Sequence, residues 1–476
     1  MKRILMAGLL AFTASFLWSQ EDANQNPNNE EVQQTIETVQ SGLSAEEINE
    51  IRQHKHPLTK KDLDNKKEGF YLTGLPLLNS DPDTGVGYGA RVYFFQNGKK
   101  EDPLFAYTPY RHRLFAQFFQ TTGGWNYHTI DYDAPYFLDS LFRLRAALVY
   151  EKNTNARYFG VGNDTLHNLQ DPSGQQYSKY QDFLDSIRKI DNNGNTNARF
   201  TSYTFENPLL YVSGERDVAY FAGGVLRPLV AFRLNKYNIT DYTGKKVKVD
   251  DKDAIQNPTL LYYDCVAGKL LGCGGGWDNR LAFGIAFDSR DFEPDPNSGL
   301  FTEIMTEIAN KAYGADFNYA RYTFSQKVYF SPIPDIADLV LAWRGVYSFQ
   351  KGDVPFYALN KLSFTEGNKN GLGGLRTLRG FKSNRFVGKV MALTNFEIRW
   401  TMFHAKVIGQ DFAFILVPFI DAGRVFNDPK QTSFQGWKYD YGAGLRIAWN
   451  QATIIMIDYA MSSEDSGLFI NFSHIF

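Results

Sequence analysis

The chain is poor in the residues that reactive centres use. It has 2 cysteines and 7 histidines in 476 residues. The histidines (His54, His56, His112, His128, His167, His404 and His474) are scattered, and no HExxH or GxSxG pattern occurs. A zinc hydrolase or a serine hydrolase would need one of these. The segment Gly371–Gly374 mimics a phosphate-binding glycine loop, but no helix follows to supply N–H groups. No enzyme, cofactor or metal is indicated. Charge of one sign is also missing: 50 Lys+Arg against 52 Asp+Glu give a net −2, which excludes the basic footprint of a nucleic-acid binder. Long apolar runs are absent after residue 20, where a spanning helix needs ~20 residues. The longest, Phe412 to Ile420, has the length of a strand, and mean hydropathy is −0.36. A polytopic helical membrane protein is excluded.

Aromatic residues and glycine are abundant: 28 Tyr, 39 Phe and 40 Gly. From about Gly69 onward the apolar residues recur with a period of two. Leu281, Phe283, Ile285 and Phe287 alternate with Arg280, Ala282, Gly284 and Asp288. Thr394, Phe396, Ile398 and Trp400 alternate with Asn395, Glu397 and Arg399, and Ile455, Ile457 and Tyr459 alternate with Met456 and Asp458. A soluble sandwich gives the same alternation. Apolar segments of ~9–11 residues favour strands with lipid on one face and water on the other.

Strands are expected near 69–78, 85–96, 111–122, 125–138, 141–156, 199–213, 216–235, 277–289, 299–311, 317–331, 338–351, 389–402, 412–423, 437–449, 452–460 and 467–476. The fold class is therefore all-β: a 16-stranded antiparallel transmembrane β-barrel over 68–476, preceded by a short N-terminal periplasmic segment. An even count returns both ends of the barrel to the periplasm. The long connections 157–198, 236–276 and 352–388 then lie outside, and short turns such as Gly214–Asp217 and Asn450-Gln451 lie inside.

Residues 1–19 read as a signal peptide, with Lys2 and Arg3 before the apolar stretch Ile4–Trp18. Residues 20–67 read as a periplasmic tail. Ser44-Ala-Glu-Glu47 is a capping box, which predicts a helix from Ala45 to about His54 with Ile48 and Ile51 on one face. A turn or two around Val32, Ile36 and Val39 is a weaker expectation. The tail reads as a flexible periplasmic segment, with a plug or a docking helix for a partner as the alternative. Cys265 and Cys273, close together in a loop-like stretch of an exported chain, read as a disulfide-closed loop, with two free thiols the alternative. At the other end, alternation puts Leu468, Ile470, Phe472, His474 and Phe476 on one strand face.

Three motifs narrow the family. Leu378-Arg379-Gly380-Phe381 lies in the last long connection. Phe419-Ile-Asp421-Ala-Gly423 follows on a strand, and Asp288-Ser-Arg290-Asp291 precedes both, ahead of Pro296 and Gly299. In this order, and with a terminal Phe, they resemble the BamA/TpsB superfamily of outer-membrane barrels, the bacterial surface antigen family. Pro82-Asp-Thr-Gly85 and Gly87 resemble that family's first hairpin. The resemblance implies 16 strands and a sixth loop whose Arg-Gly-Phe tip folds into the lumen against the Phe-x-Asp-x-Gly motif of the thirteenth strand. Arg379 would be held by Asp421, with Gly380 and Gly423 allowing close approach and Phe381 packing on the wall. Glu397 and Arg399 would line the lumen, and Phe472, His474 and Phe476 would carry the sorting signal of the last strand. In Asp288–Asp291 the carboxylates read as turn chemistry rather than a catalytic cluster.

The periplasmic POTRA modules usual in the family do not fit into 20–67. Family resemblance also implies weak pairing of the first and last strands. Gly74 and Pro76 in the first strand would weaken it further. Implied partners are the lipid bilayer and periplasmic or outer-membrane proteins. The expected role is assisting insertion or export of protein or lipid at the bacterial outer membrane, through a lateral seam and a loop-gated lumen. A passive pore and a surface structural or adhesion protein are the alternatives.

Overall fold

A ribbon that is apolar on one face and polar on the other must close on itself in a bilayer, because an open edge leaves backbone donors and acceptors without partners. The computed structural model describes residues 43–54, 57–58, 63, 66–291, 293, 295–365, 367–407, 410–449 and 453–476. The sequence assigned to the signal peptide, the weaker turns at 32–39 and the Asn450-Gln451 turn lie outside these residues.

Sixteen antiparallel strands close into one barrel. They are β1 Phe70–Asp81, β2 Gly85–Gln96, β3 His112–Thr121, β4 Trp125–Ala134, β5 Phe142–Arg157, β6 Ser202–Arg216, β7 Gly224–Thr240, β8 Arg280–Asp288, β9 Gly299–Ala309, β10 Tyr319–Phe330, β11 Leu339–Gly352, β12 Val390–Val407, β13 Gln410–Phe426, β14 Lys438–Trp449, β15 Thr453–Ser462 and β16 Ser466–Phe472. Short strands at Ala219–Phe221 and Gly275–Trp277 extend the sheet beside β7. Each barrel strand pairs with the next along the chain, and β16 meets β1 at a single residue pair, Ser80 with Ile470. By contrast, β1 pairs with β2 from Phe70–Gln96 through to Asp81–Gly85.

Alternation sorts the two faces. On β8, Phe283 and Ile285 are exposed while Ala282 and Ala286 are buried; on β12, Asn395, Glu397 and Arg399 are buried. Two sequence expectations are corrected. Residues 214–216 continue β6, and the reversal falls at Ala222-Gly223, both with positive φ. The last strand stops at Phe472, because Ser473 turns the chain at φ 69. His474 and Ile475 are then buried, and Phe476 packs inside the barrel against the Arg344 and Arg399 side chains. His474 and Phe476 thus leave the strand face on which alternation placed them.

The ends of the barrel differ. At the end carrying the termini, helix α1 (Ala45–His54) begins at a capping box: Glu47 N–H donates to Ser44 Oγ at 3.2 Å, and Ser44 N–H to Glu47 Oε2 at 2.9 Å. Its Ile48 and Ile51, with Leu43, pack on Leu104 and Tyr136 of the barrel's own connections. At the opposite end, the connections after β5 and β7 build a folded cap with helices Tyr180–Ile187 and Leu260–Val266. Cys265 and Cys273 are joined there by a disulfide.

Candidate functional site: the inserted loop and its clasp

The connection from β11 to β12, residues 353–389, folds into the lumen rather than over it. It carries a one-turn helix, Phe356–Leu359, and a hairpin, Lys361–Phe364 with Gly367–Asn370. Leu362, Phe364, Leu372, Leu378, Phe381 and Phe386 bury together with Met391, Leu393 and Val425 of the wall. An apolar core thus forms inside a polar lumen, and its burial favours the inserted position.

The loop tip is Arg379, whose side chain is fully buried. Its Nε donates to Asp421 Oδ2 at 2.8 Å and its Nη2 to Asp421 Oδ1 at 2.8 Å. This is the two-pronged geometry that a planar guanidinium makes with a carboxylate. Nη1 donates to Glu397 Oε1 and to Asp458 Oδ2, both at 2.9 Å. The guanidinium carbon lies 3.3 Å from the centre of the Phe419 ring. Phe419, Asp421 and Gly423 share strand parity, so one face of β13 supplies the stack, the carboxylate and the gap. A Cβ on Gly423 would sit 3.0 Å from the Ala392 carbonyl oxygen, and one on Gly380 would sit 2.6 Å from Asp440 Cβ and 2.9 Å from the Met461 carbonyl carbon. Glycine at 380 lets the loop backbone lie directly on β14 and β15.

The network extends beyond the residues singled out in the sequence. Asn395 Nδ2 donates to Asp421 Oδ1 and to the Thr377 carbonyl, each at 2.7 Å. Arg399 donates to Glu397 at 3.0 Å, and Arg446 pairs with Asp458. Further round the wall, Glu307 receives Arg233 and Arg280 at 3.0 Å each and also Arg321. Arg321 in turn donates to the Ala358 carbonyl of the loop helix at 2.6 Å. Glu303 accepts from Thr365 N–H at 2.8 Å. Asp458, Arg446 and Glu307 carry inward parity in the sequence; Arg446 meets Asp458 on the neighbouring strand, Glu307 meets Arg280 and Arg321 on its two neighbours, and Arg233 of β7 and Arg379 of the loop reach across further.

The loop lies against β6 to β15, and the lumenal charges it covers there, among them Arg233, Glu307, Arg321, Glu397 and Asp458, are dry. Arg113, Arg143 and Arg145, on β3 and β5, keep 22–25% of their side-chain surface. One half of the bore is filled and the other is wetter. A cavity of about 320 Å³ opens beneath the loop, lined by Arg290, Glu293, Lys327, Arg344, Arg376 and the C-terminal tail. Here Arg376 Nη1 donates to the His474 carbonyl at 2.5 Å, and His474 Nε2 is 2.9 Å from Asp295 Oδ1. Phe472, at the end of β16, faces away from this cluster, paired with Ile455 of β15.

The Asp288–Asp291 segment is a turn. Arg290 bridges both Asp288 oxygens at 2.9 Å, and Asp291 Oδ1 accepts from the N–H groups of Asn297 and Ser298. Among the described residues no group of His, Cys, Asp and Glu is arranged to hold a metal ion.

No curated protein matches the sequence. Residues 47–111 match a domain of unknown function, DUF5982, which covers most of α1 and the first hairpin. Among solved structures, BamA from Haemophilus ducreyi lacking POTRA domains 1–3 is similar at 14% identity and a TM-score of 0.48, covering 86% of this chain and 70% of that one. CdiB from Acinetobacter baumannii is similar at 11% identity and a TM-score of 0.45, covering 86% and 60%. CdiB from Escherichia coli is similar at 9% identity and a TM-score of 0.52, covering 85% and 63%. At 9% identity the likeness to this last barrel is one of fold alone. The Omp85 superfamily domain matches residues 126–469, most of the barrel, and the chain belongs to this superfamily as a bacterial outer-membrane protein.

Proposed function

We propose that this barrel assists the insertion or export of protein or lipid through a lateral seam between β1 and β16, with its lumen closed by the loop that Arg379, Gly380, Phe381, Asp421 and Gly423 lock in place. One observation carries the reading. Strands β1 and β16 share only the Ser80–Ile470 pair, so the β1 edge from Phe70 to Asn79 has no β16 partner. An unpaired edge is a template for an incoming strand. Pro76, which donates no ladder hydrogen bond, and the inward turn at Ser473 keep β16 from zipping further. Membership of the Omp85 superfamily supports the same reading.

The seam can be locked. Continuing the Ser80–Ile470 register would place Leu78 opposite Phe472. In a Leu78→Cys/Phe472→Cys pair, oxidation should stop assembly of client outer-membrane proteins and reduction should restore it. Undiminished assembly with the cross-link formed would reject the seam.

A further inference from the structure

Immediately after the clasp, the loop reaches the first and last hairpins of the barrel together. Lys382 Nζ lies 3.2 Å from Asp465 Oδ2, in the turn joining β15 to β16. It lies 3.9 Å from Asp83 Oδ1, in the turn joining β1 to β2. Ser383 N–H donates to the other Asp83 oxygen at 2.6 Å. The flanking residues hold the last hairpin too. Arg385 Nε donates to both Glu464 oxygens at 2.7 and 3.0 Å, and Ser462 Oγ donates to the Gly380 carbonyl at 2.8 Å. The Tyr180 ring lies 4.8 Å from the Lys382 ammonium. The side chains of Lys382 and Asp83 keep only 11% and 6% of their surface, so solvent screens this contact weakly.

We propose that Lys382 and Ser383 staple the seam at its loop end, making that end the hinge about which β1 and β16 part. The staple sits beside the one residue pair in ladder register between the two strands, Ser80–Ile470. Gly467 of β16 packs there on Pro82, where a Cβ would come within 2.7 Å of the proline ring. Separation of the strands therefore proceeds from the end carrying the termini. Without the ammonium, Asp83 and Asp465 face each other across the seam as like charges, which drives the hairpins apart. Lys382 and Ser383 are positioning residues for the seam, and the inference rests on the seam reading above.

Hydrogen exchange of the full chain in lipid nanodiscs tests it without a client. In Lys382→Met, amides of 77–83 and 466–470 should exchange roughly tenfold faster than in wild type, with β13 amides unchanged. Lys382→Arg should restore protection. Rates within about twofold of wild type at both segments would overturn the staple. Should Lys382→Met fail to fold, Lys382→Gln, which removes the same ammonium and leaves both carboxylates, carries the same expectation and the same refutation. The two readings fail separately. Assembly that survives the Leu78–Phe472 cross-link removes the seam's function while leaving the hinge. Unchanged exchange in Lys382→Met removes the hinge while leaving the seam.

Discussion

Replacing Arg379 by alanine removes the one cation shared by three buried carboxylates, and the structure shows what each would keep. Glu397 keeps Arg399 at 3.0 Å and Arg446 at 3.6 Å, and Asp458 keeps Arg446. Asp421 keeps the Asn395 amide, at 2.7 Å, and the backbone N–H of residue 379, at 3.4 Å, both neutral donors. One buried carboxylate is therefore left without a cation. Stranding one member of a buried pair costs about 3–5 kcal/mol. The low end applies here, because the loop can swing out and let water reach Asp421. About 3 kcal/mol corresponds to roughly a hundredfold rise in the population with the loop released. The assay is native-state proteolysis within 353–389, in membranes or detergent, at protease concentrations where cleavage follows the open population. Arg379→Ala and Asp421→Ala should both be cut faster. Arg379→Ala/Asp421→Asn should cost less than the sum of its parts, since the stranded charge is gone. Arg379→Lys should fall between, having lost the fork. Cleavage within about twofold of wild type in both alanine variants would refute the clasp.

Gly380→Val forces a side chain into Asp440 and the β15 backbone, at a cost of about 1–3 kcal/mol; loop proteolysis should rise, whereas Gly214→Ala, with nothing within 4 Å of the added Cβ, should match wild type. Lys66, whose ammonium donates to the carbonyls of Phe105 and Thr108 at 2.6 and 2.8 Å, has its pKa lowered by burial from 10.5 to about 8, partly offset by Asp102. Between those values the unfolded segment holds more protons than the folded one, so docking of the N-terminal segment should strengthen as pH rises through this window. Intrinsic-rate-corrected exchange of amides 97–111 reads this, and the same pH dependence in Lys66→Met would refute it. In planar bilayers the inserted loop should hold wild-type conductance small and flickering, whereas a steady porin-sized current in wild type would favour the passive pore.

The expected strands matched the observed ones in number and order because a membrane barrel writes its two environments into alternate residues. The ends were less legible. Strands β12 and β13 run further than expected, to Val407 and from Gln410, and a register shift between Thr401 and Phe403 makes their pairing irregular. Periodicity is blind to such features, since neither burial nor polarity changes where pairing merely continues. The C-terminal tail was misread for the opposite reason. Leu468, Ile470, Phe472, His474 and Phe476 keep the same parity whether the strand continues or turns at Ser473.

The clasp divides in the same way. Arg379 and Asp421 could be named from motifs, while Asp458 and Arg446 could not. What the sequence determined by itself is the barrel: each strand needs only its neighbours along the chain, and local alternation fixes which face meets lipid. What only the tertiary structure decided is which inward charges meet, how the loop fills half the bore, and where the first and last strands part. Those depend on barrel closure, which brings residues as far apart as Asp83 and Ser383 within 2.6 Å, a proximity that no local pattern encodes.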